Sequence, residues 1–202
     1  VAAWHDDIAT LPPGPLLLLA NEFLDALPIR QFVRRGDSWL ERHVANGAFV
    51  ELPADDAPPL PAAAPEGAVK EVGEPALRFV EALATRLAAQ GGAALLVDYG
   101  YALPGFGDTL QAMRAQETGL DPLAEPGSRD LTAHVDFPAL AEAARAAGAA
   151  AGGPLPQGLL LQRLGLMTRA AMLAQARPRL AGDILSGAER LVAAEGMGRL
   201  FK

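Results

Sequence analysis

Leu16-Leu17-Leu18-Leu19-Ala20-Asn21-Glu22-Phe23-Leu24-Asp25-Ala26-Leu27-Pro28 is the stretch on which the reading of this chain turns. An unbroken apolar run follows Pro12-Pro13-Gly14-Pro15 and gives way at once to Asn, Glu and then Asp. A run this short, fenced by proline and glycine, fits a strand buried on both faces, as in a parallel α/β sheet. Ligands bind beyond the carboxyl ends of the strands in such sheets. Asn21, Glu22 and Asp25 stand at that end. The plainer alternative is that Asn21 and Asp25 cap a following helix and Glu22 is merely solvated.

A second run of the same kind lies at Ala93-Ala94-Leu95-Leu96-Val97-Asp98-Tyr99-Gly100-Tyr101. Ahead of it, Pro75 opens a helix with Leu77, Val80, Leu83, Ala84 and Leu87 on one face, and Gly91-Gly92 ends that helix. Those glycines precede a strand, so they read as a helix stop and not as a phosphate loop. Strand, crossover with a helix, and strand again imply a parallel pair. The expected architecture is three-layer α/β, with Leu16–Ala20 and Ala94–Asp98 adjacent, parallel and almost fully buried. Asp98 and Tyr99 then lie beside Asn21 and Glu22, and Glu22, Asp98 and His134 should open onto one shared cavity.

Other stretches are less distinctive. Trp4-His5-Asp6-Asp7 has metal-ligand chemistry, but nothing in the sequence makes the side chains converge; it reads as a surface approach to the first strand. Residues around Gly36-Asp37 and Asn46-Gly47 alternate in the β manner. They predict a meander of Gln31–Arg35, Trp39–Val44 and Phe49–Leu52 that covers the ligand site, meets a partner, or only decorates an edge. Pro53 to Pro65 is a loop. Gly105-Phe106-Gly107-Asp108-Thr109-Leu110-Gln111-Ala112 predicts a loop entering a helix capped by Asp108 or Thr109. Asp136 should cap a helix over Phe137–Ala147, with Pro138 in its first turn. Helices are expected over Gln157–Leu166, Thr168–Leu180 and Gly187–Ala194, the last opened by a capping box of Ser186 and Glu189.

The charge balance is 17 basic against 24 acidic residues, net −7, which speaks against a nucleic-acid or anionic-membrane surface. With no cysteine there is no disulfide, thiol nucleophile or thiolate metal site. No apolar run approaches the ~18 residues of a membrane helix. Lys70 and Lys202 are the only lysines among abundant Ala, Gly, Pro and Arg, read as the codon bias of a GC-rich bacterial genome. No signal peptide is visible, so the bacterial cytoplasm is the expected setting. Ser38, Ser128 and Ser186 lie in no nucleophile elbow, which leaves hydrolase chemistry unsupported.

Five blocks, in order, resemble the MidA family of S-adenosylmethionine-dependent methyltransferases. They are Asn21 to Phe32, Glu66 to Val72, Asp98-Tyr99-Gly100, Gly105 to Ala112, and Asp130-Leu131-Thr132-Ala133-His134-Val135-Asp136-Phe137-Pro138. The resemblance implies a class I, Rossmann-like, mostly parallel sheet that is incomplete here. Residues 1–202 would be the C-terminal portion of one methyltransferase domain, with a β meander inserted at 30–52 and a helical insertion at 157–195. The glycine-rich turn and ribose acid that hold the cofactor are not in the sequence, and Met197 to Lys202 resembles the start of a final strand. A fragment so composed is expected to be inactive alone.

The activity implied is methylation of a protein arginine with S-adenosylmethionine as cofactor. A guanidinium has a pKa above ~12 and is a poor nucleophile, so carboxylates must hold it bidentately and localise a lone pair. By position, Glu22 and Asp25 are the candidates for that work and Asn21 for a hydrogen bond to the same group. Asn21 and Glu22 are also the cofactor-binding candidates. Asp98 and Tyr99 would line the neighbouring wall, with Asp108 and Asp136 as further substrate-binding residues. His134 would orient substrate or act as a base, unless it is structural. The implied partner is a protein substrate such as a respiratory-complex subunit, and the implied assembly a homodimer. No metal site is expected. The rival reading is a non-catalytic assembly module that grips a partner protein.

Overall fold

The computed structural model describes residues 2–114 and 117–202. Strand β1 (Leu16–Asn21) is followed by β2 (Arg30–Arg35), β3 (Ser38–Ala45), β4 (Ala48–Pro53), β5 (Val69–Val72), helix α1 (Glu74–Gln90) and β6 (Gly92–Val97). Short strands β7 (Gly100–Tyr101), β8 (Gln111–Arg114), β9 (Glu117–Leu120), β10 (Asp130–Thr132) and β11 (Val135–Asp136) lead into α2 (Phe137–Ala146). Helices α3 (Gln157–Arg163), α4 (Leu166–Ala176), α5 (Ala181–Val192) and α6 (Met197–Leu200) close the chain.

β1 and β6 are adjacent and parallel, Leu16 opposite Gly92 and Asn21 opposite Val97, as the two apolar runs imply. Helices α1 and α2 pack together over the face that carries Leu96, building a core of Val80, Leu24, Val135, Phe137 and Leu140. The opposite face is bare: Leu17 is 85 % exposed and Leu19 71 %. The expectation of two fully buried strands in three layers is therefore corrected. Strand side chains alternate between faces, and among the described residues helices cover only one face of this pair. β7 continues past the end of β6 and pairs in parallel with β11.

Close strand contact is set by Gly92, whose φ is +120° and where a Cβ would stand 2.0 Å from the Leu16 carbonyl oxygen. Gly91 ends α1 at φ +81°, its N–H bonded to the Leu87 carbonyl. Gly92→Ala should cost about 2–4 kcal/mol, because both the backbone angle and the β1–β6 spacing must give. A urea midpoint unchanged by this substitution would contradict the pairing.

The meander forms as its turn residues predict, with Gly36, Asn46 and Gly47 all at positive φ. It gains a fourth strand: the order is β4-β3-β2-β5, all antiparallel. Arg30 clamps this sheet to its surroundings, donating to both carboxylate oxygens of Glu41 at 2.7 Å, to Glu74 at 3.1 Å and to Asp56 at 2.9 Å. Hydrogen bonding to Glu41 leads these contacts in raising the guanidinium further above its ordinary pKa.

Three other expectations are corrected. Residues 111–114 form strand β8, paired antiparallel with β9 and β10, so no helix follows Thr109. Ser186 lies inside α5, its Oγ donating to the Asp183 carbonyl, because the helix begins earlier, at Ala181; there is no capping box. Met197 to Leu200 is a helical turn, and pairing starts only at Phe201, which bridges Tyr99 in antiparallel fashion. Among the described residues no helix is long and apolar enough to cross a membrane.

Candidate functional site

The chain leaves β1 through a tight turn at Glu22, whose φ is +48°. A left-handed conformation is costly for a residue with a Cβ and needs outside support. Asp98, just past the end of β6, supplies it. Its Oδ2 accepts the backbone N–H groups of Phe23, Leu24 and Asp25 at 3.1, 2.9 and 3.3 Å, and its Oδ1 accepts that of Tyr99 at 2.9 Å. The Glu22 N–H in turn donates to the Val97 carbonyl at 2.9 Å. The neighbourhood expected from topology is thus real, and its purpose is to hold the turn.

Asp98 is 1 % exposed. Burial, followed by the nearby Asp25 carboxylate, raises its pKa above the usual carboxylate value. Asp25 is itself buried and accepts the Tyr99 hydroxyl at 2.5 Å. Burial, reinforced by that bond, pushes the Tyr99 phenol well up. Asp25, Asp98 and Tyr99 form a network under the turn, and the expectation that Asp98 lines an open wall is corrected. Asn21 and Glu22 are exposed above it, with the Asn21 side-chain amide donating to Glu22 at 3.4 Å. Glu22 makes no ion pair among the described residues.

Beyond the carboxyl ends of β1 and β6, between the meander and the α1–α2 layer, lies a cavity of about 250 Å³. Leu24, Lys70, Glu71, Tyr101, His134 and Asp136 reach it. Glu22 and Asp98 do not, so the shared cavity expected for Glu22, Asp98 and His134 is not formed. The physical reason is the left-handed turn: it swings Glu22 outward and sends Leu24 inward.

His134 belongs to the cavity and also to an open groove beside Arg42, Asp108 and Leu120. Its ring is packed edge-on against Tyr99 and Tyr101, with centroids 5.8 and 5.4 Å away. Burial lowers its pKa, opposed by Glu71 and aided by Lys202, which favours the neutral imidazole. A base whose folded-state pKa is depressed takes up its proton more readily when unfolded. Stability should therefore rise with pH up to about 6.5, the unfolded value. Replacing His134 with glutamine should flatten that part of the pH–stability profile, measured by urea unfolding from pH 5 to 8.

Asp108 faces the groove, held by Arg42 at 2.8 Å and by the Gln31 side-chain amide at 2.9 Å. Asp136 caps α2 as predicted, accepting the Ala139 N–H at 3.1 Å, and pairs with Lys70 at 2.7 Å. Glu71 was not singled out from sequence, although it lies within one of the five blocks. Its carboxylate accepts from Gln31 Nε2 at 2.8 Å, from the N–H groups of Thr109 and Leu110 at 2.9 and 3.2 Å, and from Thr109 Oγ1 at 2.5 Å. That ties loop 105–110 onto β5. Lys70 and Tyr101 were missed as well; a strand pattern does not reveal which polar residue turns inward. Among the described residues no group of acidic or histidine side chains is arranged to hold a metal.

Residues 1–155 match the family described as "putative S-adenosyl-L-methionine-dependent methyltransferase". The chain belongs to this family. The mitochondrial protein arginine methyltransferase NDUFAF7 homolog of Drosophila melanogaster is 37 % identical over all of this chain and 49 % of its own length. Protein arginine methyltransferase NDUFAF7 of Mus musculus is 31 % identical over 98 % of this chain and 47 % of its own length. The chain thus spans about half the length of the curated relatives it matches. A Burkholderia thailandensis crystal structure bound to S-adenosyl-homocysteine superposes with a TM-score of 0.81 at 27 % identity, over 98 % of this chain and 54 % of that one. The family's Rossmann-like methyltransferase fold accounts for the parallel β1–β6 pair, with the antiparallel meander added to it.

Proposed function

We propose that this chain serves S-adenosylmethionine-dependent methyl transfer to an arginine side chain of a protein. The observation that carries the reading is the Asn21–Glu22 turn. It presents a carboxylate that forms no ion pair among the described residues at the carboxyl end of β1, in a fold shared with a relative whose crystal structure is bound to S-adenosyl-homocysteine. The exposed amide and carboxylate of Asn21 and Glu22 fit the hydroxyl and ammonium groups of such a ligand, and we assign them to it. When bound, S-adenosylmethionine supplies a methyl group on a sulfonium for in-line displacement.

The protein's part in that step is positioning and charge. Glu22 holds the guanidinium and localises a lone pair on the attacking nitrogen. Asp25 and Asp98, enclosed below, keep the turn in the conformation that aims Glu22. Tyr99 orients Asp25. His134, held neutral by burial, lines the neighbouring cavity and would act as a base only toward a group seated there. Asp108 and Asp136, neutralised by Arg42 and Lys70, shape the walls on which the acceptor rests. A respiratory-complex subunit as the acceptor, a bacterial cytoplasmic setting and a homodimer complete the reading.

The test is calorimetric titration of the full-length protein with S-adenosylmethionine, followed by methyl-³H transfer to arginine-bearing proteins. Saturable binding and label on arginine are expected. Neither binding nor transfer would leave the rival reading, an assembly module, in its place.

A further inference from the structure

The net charge of the chain hides an asymmetry. From Ala143 to Gly182 there are 40 residues without an aspartate or glutamate, and among them stand Arg145, Arg163, Arg169, Arg177 and Arg179. The rest of the chain, with 12 basic and 24 acidic residues, is left at −12. Four of these arginines lie on or beside helix α4. Arg163 ends α3, Arg169 is within α4, Arg177 closes α4, and Arg179 stands in the turn that leads into α5. All four are exposed, and none forms an ion pair among the described residues. The meander treats its cations differently, since Arg30, Arg35 and Arg42 are each held by carboxylates. Exposed apolar side chains are interleaved with the four arginines: Leu164 is 72 % exposed, Met172 59 % and Leu180 47 %. α4 turns Ala170 and Ala174 inward and packs chiefly on α5 and α3. Arg169, Met172 and Ala176, spaced by three and four residues, share an exposed stripe along it.

We propose that α4 and its two flanking turns form a docking surface for an anionic lipid bilayer. The interleaving of cations with apolar side chains favours lipid over an acidic protein or a nucleic acid. Guanidinium groups alone would serve for carboxylates or for a phosphate backbone. At a bilayer the leucines and methionine enter the acyl boundary while the guanidinium groups stay among the headgroup phosphates. The spacing suits a flat surface. α4 is about 16 Å long at 1.5 Å per residue, with an arginine and an exposed leucine at each end, Arg163 with Leu164 and Arg179 with Leu180. None of these residues lines the cavity or the groove described above. The acidic remainder of the chain is repelled by the same lipid surface, which orients the molecule with α4 toward it. Whole-chain charge speaks against such a surface; its local distribution supplies one. This inference does not depend on the methyltransferase reading.

The test is co-sedimentation of the full-length protein with vesicles of phosphatidylcholine, alone or mixed with phosphatidylglycerol. Binding to the mixed vesicles is expected at low salt, weakening as salt is raised, with little binding to phosphatidylcholine alone. Arg169→Gln and Arg179→Gln should each weaken partitioning about fivefold, the worth of one cation near such a surface. Leu164→Ser should weaken it roughly three- to tenfold through lost apolar contact, and should leave binding to polyglutamate or duplex DNA unchanged. Gln175→Arg adds a cation to the exposed side of α4 and should tighten partitioning about fivefold. A gain of binding cannot come from misfolding, so this variant decides the matter should the others prove unstable. No sedimentation with the mixed vesicles at low salt, equal binding to both kinds, or partitioning unmoved by Gln175→Arg would each overturn the proposal. Tighter binding to polyglutamate or DNA than to the mixed vesicles would overturn it as well, in favour of a macromolecular partner.

Discussion

Asp98→Ala should lower the free energy of unfolding by about 3–5 kcal/mol, the largest stability loss expected from any polar residue of the chain. Four backbone N–H groups, from Phe23, Leu24, Asp25 and Tyr99, would lose their acceptor at once. Asp98→Asn should cost less. One amide oxygen can still accept from the turn, but the amino group then faces a donor. The two variants separate shape from charge. Burial raises the Asp98 pKa, so the folded state binds this proton more tightly than the unfolded state does. The contribution is full below the unfolded value of about 3.9 and is lost as pH rises through the folded pKa. Wild-type stability relative to Asp98→Asn should therefore fall as pH climbs from about 3.9 and then level off. Urea midpoints of the three proteins from pH 3 to 7 check this. Alanine and asparagine variants of equal stability would show that the turn does not depend on this carboxylate.

Glu22→Gln should lower kcat/KM for methyl transfer by about 10²–10³ while stability changes by less than about 0.5 kcal/mol. The side chain is exposed and forms no ion pair among the described residues, so the fold does not need its charge. Glu22→Gly sharpens the contrast. At φ +48° a glycine relieves strain, so this variant should gain about 0.5–1 kcal/mol of stability and lose transfer as fully. A residue that is worse for stability than glycine yet needed for activity is the pattern of a functional position. Single-turnover transfer and urea unfolding, run on the same full-length samples, decide it. Full activity in Glu22→Gln would remove the role assigned to that carboxylate.

Much of this is legible in the sequence. Two apolar runs, each with a polar tip, specified parallel neighbours, because the crossover between them holds one amphipathic helix and its stop at Gly91. Hairpin dipeptides placed the turns of the meander, since Gly36, Asn46 and Gly47 accept backbone angles that few residues tolerate. Asp136 announced its own helix cap. The turns and the cap are short-range matters, decided by residues within one or two turns of each other. The same local reasoning failed at Ser186, where a sound capping box was overridden by a helix that starts at Ala181. It failed again at residues 111–114, where pairing with β9 and β10 outweighed a plausible helix start.

The direction of each polar side chain at the strand ends was settled only by tertiary structure. Asn21, Glu22, Asp25 and Asp98 look equivalent in sequence, four polar groups following two apolar runs. The fold divides them into an exposed pair and a buried pair, because Asp98 turns back to gather the N–H groups of the loop opposite. Glu71, Lys70 and Tyr101 came to the cavity from three-dimensional packing that no spacing encodes. The sequence by itself determined the parallel pairing, the turns of the meander, the cap of α2 and the family. Which carboxylate faces solvent and which one supports it depends on contacts across 70 and more residues of chain, and these exist only once the chain is folded.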